Sequence, residues 1–137
     1  MPEARIWADI VLNAMEQIRS GADPKDSYQN AAKLLCRSES MQKKPCPKAA
    51  FLGLCEDGYV KGVPKGAYTR STKSKSYAVD AVKLLISNPF LGRLNSDCLW
   101  REMAKVNVYL SKNPRLNGSQ GEMIVVRTLW ENGFISK

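Results

Sequence analysis

The sequence predicts a mostly α-helical, internally duplicated protein with one short β-hairpin. Three observations indicate this class. Apolar residues recur at three- and four-residue steps along most of the chain, which is the spacing of a buried helix face. Gly, Pro and polar capping residues divide these stretches into separate helices. The second half of the 137-residue chain repeats the order of motifs found in the first half.

The first two helices are the most clearly delimited. One is predicted over residues 4–19 and ends before Gly21, which tolerates the left-handed conformation common after a helix. The next begins at Asp23 and Pro24 and runs to about Cys36. Asp23 is a favourable N-cap residue, and Pro24 loses no hydrogen bond at the first helical position.

The rest of the first half mixes loop, helix and hairpin signals. Residues 37–48 are polar and basic and are predicted to form a loop, followed by a short helix over 49–56. Over 59–69, apolar residues alternate with basic residues or Gly, which predicts a short hairpin. The polar stretch 70–76 is predicted to be a connector.

The second half again contains three predicted helices. They cover 77–87, 96 to about 106 or, as the alternative, on through 108–110, and 120–131. Ser96 and Asp97 are the expected caps of the middle helix, and 113–118 is the expected loop before the last one. Residues 134–135 form a short extended tail.

The two halves match over short stretches that follow the same order. At an offset of 71, the matched pairs are Asp9 with Asp80, Val11 with Val82, Gly21 with Gly92, and Asp26 with Asp97. At an offset of 75, residues 54–60 (LCEDGYV) match 129–135 (LWENGFI). This order predicts a first unit over 1–70, which carries the basic hairpin, and a second over 71–137, packed as one globular body. The alternative is two unrelated sets of three helices.

Each unit resembles a winged helix-turn-helix. In that fold two supporting helices precede a third helix and a short strand or wing. The first unit has a wing-like stretch after its third helix, and the second unit has none. This resemblance is one of fold, and it does not establish a function, because one fold can serve many functions.

Residues 46–69 (CPKAAFLGLCEDGYVKGVPKGAYT) resemble a family of small bacterial proteins with a domain of unknown function. The similarity continues into the helix over 77–85 and the ending at 129–133. The resemblance implies a bacterial or phage origin. It transfers no catalytic residues.

Composition excludes several classes of protein. The chain has no His, so His-based triads and His-ligated metal sites are excluded. No apolar run approaches the ~18 residues of a membrane span. The first residues lack the layout of a signal peptide, and a cytoplasmic protein is therefore expected.

The four cysteines are Cys36, Cys46, Cys55 and Cys98, and none has the spacing of a zinc or redox motif. Four reduced thiols are expected, with no metal and no cofactor. A four-thiolate zinc site and a catalytic cysteine are the alternatives, and the latter would lack a His to activate it.

Basic residues concentrate in one segment. The chain has 21 Lys and Arg against 13 Asp and Glu, a net charge of +8. Residues 37–75 hold nine of these cations and only three acids. The predicted nucleic-acid contacts are Lys43, Lys44, Lys48, Lys61, Lys65, Tyr68, Arg70, Lys73 and Lys75. Tyr68 would either stack on a base or pack the hairpin, and 49–53 would either face a groove or pack in the core.

The sequence therefore predicts a small, basic, non-enzymatic nucleic-acid-binding protein. It would contact duplex DNA phosphates through the first unit, with little sequence specificity because the third helix has few polar side chains. The alternative is an adaptor or inhibitor that binds another protein, for example in conflict between bacteria and phages.

Overall fold

The computed structural model describes residues 2–36, 38–112 and 121–136. These residues form eight α-helices and one 3-10 helix. The helices are α1 (Pro2–Arg19), α2 (Pro24–Leu35), α3 (Glu39–Gln42), α4 (Pro45–Glu56), α5 (Lys73–Ser87), α6 (Ser96–Val106), α7 (Val108–Lys112) and α8 (Glu122–Glu131), with the 3-10 helix (Pro89–Arg93) between α5 and α6. The mostly helical class is confirmed. None of the described helices is long and apolar enough to cross a membrane.

The caps explain where the first two helices meet. Gly21 has a φ of +102°, and its N–H donates to the carbonyl of Ile18 over 3.0 Å. Asp23 then caps α2, because its carboxylate accepts the N–H groups of Lys25 and Asp26. Both predicted signals therefore act as expected.

Three predicted boundaries are wrong. The expected loop over 37–48 contains α3 and the first turn of α4, which begins at Pro45 because proline fits a first turn. Helix α5 begins at Lys73, inside the predicted connector. Asn95 caps α6 in place of Ser96 and Asp97, and its Oδ1 accepts the N–H of Cys98 over 2.8 Å. The loop predicted over 113–118 lies outside the described residues.

The β-hairpin predicted over 59–69 is also wrong. Val60 pairs with Ile135 in an isolated antiparallel bridge, and the described residues contain no sheet. The N–H of Lys61 donates to the carbonyl of Phe134 over 2.8 Å, and the N–H of Ser136 donates to the carbonyl of Tyr59 over 2.7 Å. The apolar residue that looked like the start of a hairpin strand therefore has a partner 75 residues away.

The ends of α4 and α8 share one geometry. Gly58 and Gly133 follow these helices with φ values of +82° and +73°. Tyr59 donates its N–H to Leu54, and Phe134 donates its N–H to Leu129, each over 2.9 Å. These positions are related by the offset of 75 seen in the sequence. The match is consistent with a duplication, while superposition of the complete halves stays a prediction.

Helix α4 lies at the centre of the core. Residues 49–55 are all buried, and α4 packs against both α5 and α8. Helix α1 packs against α2 and α8. Residues 49–53 therefore take the core alternative of the sequence analysis. A helix buried along this length has no face to place in a DNA groove, and with the wing also absent the winged helix-turn-helix resemblance is not supported.

The closest approach between α4 and α5 predicts the effect of a small substitution. A Cβ added at Gly53 would lie 2.7 Å from Cβ and 3.1 Å from Cα of Lys75, so the two helices would have to separate. We expect Gly53→Ala to lower the free energy of unfolding by about 1–3 kcal/mol, although Ala is the better helix former. Urea unfolding tests this, with Gln29→Ala on the exposed face of α2 as control. A stabilised Gly53→Ala variant would contradict the close packing.

Candidate nucleic-acid interface

The basic loop, defined as residues 57–72, connects α4 to α5. It presents Lys61, Lys65 and Arg70, and Lys73 follows at the start of α5; all four are exposed. None of the four forms an ion pair within the described part of the chain. No Asp or Glu occurs between residues 58 and 79. Apart from Asp57, which pairs with Lys75, the charged side chains of the loop are all positive.

Glu56, the last residue of α4, holds the far end of this loop. Its Oε1 accepts the N–H of Tyr68 over 2.8 Å and that of Thr69 over 3.3 Å. Its carbonyl oxygen accepts the N–H of Gly66 over 3.3 Å. The loop is thereby folded back onto the helix that it leaves.

Lys75 completes the attachment from α5. Its ammonium contacts the Glu56 carboxylate and lies 2.9 Å from Oδ1 of Asp57. Burial opposes the charge of Lys75, but the bonds to Glu56 and Asp57 outweigh it and raise its pKa. The bond from Lys75 lowers the pKa of Glu56 against the effect of burial, and the two loop N–H groups lower that pKa further. Lys75, predicted to contact phosphate, is thus engaged within the protein.

Tyr68 packs the loop. Its hydroxyl donates to the carbonyl of Pro64 over 2.7 Å, and its ring lies against Gly66. The stem of Lys65 lies against Gly58 in the same way. A side chain at either glycine would collide with these groups. Of the two roles considered for Tyr68, the packing role matches its contacts.

The predicted contact residues fall into two groups. Lys43, Lys44 and Lys48 lie at the amino end of α4, and Lys44 Nζ is 5.8 Å from the ring centroid of Trp7. The remaining predicted residues lie in the basic loop and at the start of α5. Helix α4 has 12 residues and is about 18 Å long at 1.5 Å per residue; the first group lies at its amino end and the loop leaves its carboxyl end.

The four cysteines differ in their burial. Cys36 and Cys55 are buried, and burial raises the pKa of both thiols, so they are protonated and weakly nucleophilic at neutral pH. Cys46 and Cys98 are half-buried. Among the described residues, which include all four cysteines, no three His, Cys, Asp or Glu side chains are grouped to hold a metal ion.

Fold and site together define a small helical protein with an anchored, exposed basic loop. The chain belongs to a protein family of unknown function, DUF6979, whose model matches residues 4–136. Comparison with curated proteins and with solved structures gave no match. Membership in a family of unknown function agrees with the resemblance carried by residues 46–69, and a bacterial origin stays a prediction.

The ion pairs of Lys75 predict a pH-dependent stability. Glu56 has a lowered pKa in the folded protein, so its stabilising effect is present above the ordinary value of 4.5 and is lost as the pH falls through the folded pKa. We expect Lys75→Met, which keeps the stem against Gly53, to lower the free energy of unfolding at pH 7 by about 1–3 kcal/mol. The pKa of Glu56, followed by NMR, should rise toward 4.5 in this variant.

Lys83→Met is the matched control, because Lys83 is exposed on the same helix. It should change stability by no more than about 0.5 kcal/mol. Equal effects of the two substitutions, or an unchanged Glu56 pKa in Lys75→Met, would show that the contact contributes nothing.

Proposed function

We propose that the protein binds nucleic acid by contacting the backbone phosphates of a duplex through the basic loop. One observation carries the proposal. Lys61, Lys65, Arg70 and Lys73 are exposed and form no ion pair with the described residues. No acid occurs between residues 58 and 79, and the carboxylates of Glu56 and Asp57 are engaged by Lys75. Cations in this arrangement favour phosphate, and the release of counterions from the duplex drives such binding.

The proposed binding depends little on base sequence. The loop has no Asn or Gln to read adenine, and in this proposal its Lys and Arg side chains contact phosphates and not guanine edges. Helix α4 is buried over residues 49–55, so this stretch cannot enter a groove. Contacts limited to phosphates set position and affinity without specifying sequence.

A duplex is favoured over a single strand. Proteins that bind single strands use aromatic faces on which the bases stack. The loop has two aromatic residues: Tyr59 packs against the core, and Tyr68 has its hydroxyl bonded to Pro64 and its ring against Gly66. The loop cations are therefore suited to the regular phosphates of a duplex. Lys43, Lys44 and Lys48, at the amino end of α4, would contact other phosphates than the loop does.

The alternative function is a protein-interaction adaptor. Val106, Val108 and Tyr109 are exposed at the junction of α6 and α7, at 59%, 58% and 39%. Exposed apolar side chains grouped in this way are typical of surfaces that contact other proteins. Neither role involves a catalytic step.

Removing the loop charges tests the first proposal. We expect the triple variant Lys65→Ala, Arg70→Ala and Lys73→Ala to fold normally, because exposed charges contribute about 0–1 kcal/mol per pair to stability. Its affinity should fall about equally for duplexes of different sequence, and the slope of log K against log salt should fall by about three. Fluorescence anisotropy with labelled duplexes measures both quantities.

The control variant is Lys33→Ala, Lys83→Ala and Arg101→Ala, which removes the same charge from exposed positions on α2, α5 and α6. If the two triple variants lose affinity equally, net charge alone drives binding. If the loop variant binds as tightly as the parent, the loop is not the contact surface. A parent protein that does not bind near about 50 mM salt would favour the adaptor.

A further inference from the structure

We infer that Glu56 is a positioning residue of the proposed interface, an acid that strengthens the binding of a polyanion by fixing the basic loop. The inference rests on the proposed function and adds to it a residue that fixes the loop on which the binding cations lie. The change in affinity that it predicts on removal of Glu56 is opposite to the change that charge alone predicts. Removing a negative charge beside a phosphate-binding loop would ordinarily tighten binding, whereas removal of Glu56 weakens it.

The geometry places one carboxylate between three partners that are distant in sequence. Glu56 accepts N–H groups from Tyr68 and Thr69 and contacts the ammonium of Lys75. Its side chain is 16% exposed, which is low for an acid beside a cationic surface. Hydrogen bonds to an ionised acceptor are about twice as strong as neutral ones, so the carboxylate is well suited to hold backbone in place.

The positioned residues are direct neighbours of the cations. Lys65 precedes Gly66, whose N–H is bonded to the Glu56 carbonyl, and Arg70 follows Thr69. Without the carboxylate, Tyr68 and Thr69 lose the acceptor that fixes this stretch. The cations would then have to be ordered when the ligand binds, and that entropy would be subtracted from the affinity.

The negative charge of Glu56 itself lowers the affinity for a polyanion only slightly. The same contacts that hold the loop lower its pKa, which shows that the surroundings favour the ionised form. The ammonium of Lys75, which also pairs with Asp57, contacts the Glu56 carboxylate and partly offsets its charge, and the Glu56 side chain is largely covered. The carboxylate therefore provides acceptors for the loop while repelling a nearby phosphate only weakly.

Two substitutions separate position from charge. Glu56→Ala removes the charge and every acceptor, whereas Glu56→Gln removes the same charge but keeps an amide oxygen that can accept the two loop N–H groups. Positioning predicts that affinity falls in the order parent, Glu56→Gln, Glu56→Ala. Electrostatics alone predicts that both variants bind equally, and at least as tightly as the parent.

Glu131 provides the matched control. It ends α8 at the position related to Glu56 by the offset of 75, and its carboxylate pairs with Arg127 on the same helix over 2.8 Å. Its side chain is 52% exposed. Glu131→Ala therefore removes one acid from a corresponding helix end and should leave affinity unchanged or slightly increased.

The experiment titrates each full-length variant into a fluorescently labelled mixed-sequence DNA duplex at several salt concentrations. We expect Glu56→Ala to bind about three- to tenfold more weakly than the parent, with Glu56→Gln between them. The salt slope should fall by about one in Glu56→Ala and stay unchanged in Glu131→Ala, a difference that a loss of global stability alone would not produce. Circular dichroism spectra and melting curves verify folding, and Glu56→Gln carries the test if Glu56→Ala does not fold.

The outcomes distinguish this inference from the proposed function. If the parent binds and both Glu56 variants bind as tightly as the parent or more tightly, the positioning role is overturned and the proposed function stands. If both variants weaken equally and Glu131→Ala weakens with them, a general effect of acid removal replaces positioning. If the parent does not bind the duplex, the proposed function itself fails.

Discussion

The Glu56 carboxylate is the contact on which the arrangement of α4, α5 and their connecting loop depends. The two helices approach closely enough at Gly53 and Lys75 that only glycine fits there. At that junction Glu56 receives the ammonium of Lys75 and two backbone N–H groups from Tyr68 and Thr69. Ordering a loop costs conformational entropy. Here the loop is fixed by Glu56 and Lys75, which lie on the two packed helices that flank it.

The packing of α4 leaves the connecting loop, and not this helix, as the place of the candidate function. Because residues 49–55 of α4 are buried, this helix stabilises the core and cannot read a groove. The bridge between Val60 and Ile135 ties the end of α4 to the end of α8, which uses the backbone groups that a wing would need. Exposed positive charge lies on the loop that emerges from this junction, and this is the surface on which we propose the phosphate contacts.

Local signals in the sequence predicted much of the helical framework. Gly21 and Asp23 delimit the first two helices as expected, since a cap acts within a few residues. The prediction of a hairpin was wrong for the opposite reason. The partner of Val60 lies 75 residues away, and an alternating pattern does not encode which segment a strand pairs with. The role of Glu56 was also hidden, because two of its partners are backbone N–H groups, which every non-proline residue offers alike.

Amide hydrogen exchange of the Tyr68 N–H tests the central claim most directly. In the parent protein this loop amide should exchange slowly, because Glu56 accepts it over 2.8 Å. In Glu56→Ala it should exchange at a rate close to that of an unprotected amide, while the N–H of Phe134, bonded to Leu129, should be unaffected. Rapid exchange of Tyr68 in the parent, or equal protection in both proteins, would contradict the claim that this carboxylate holds the loop.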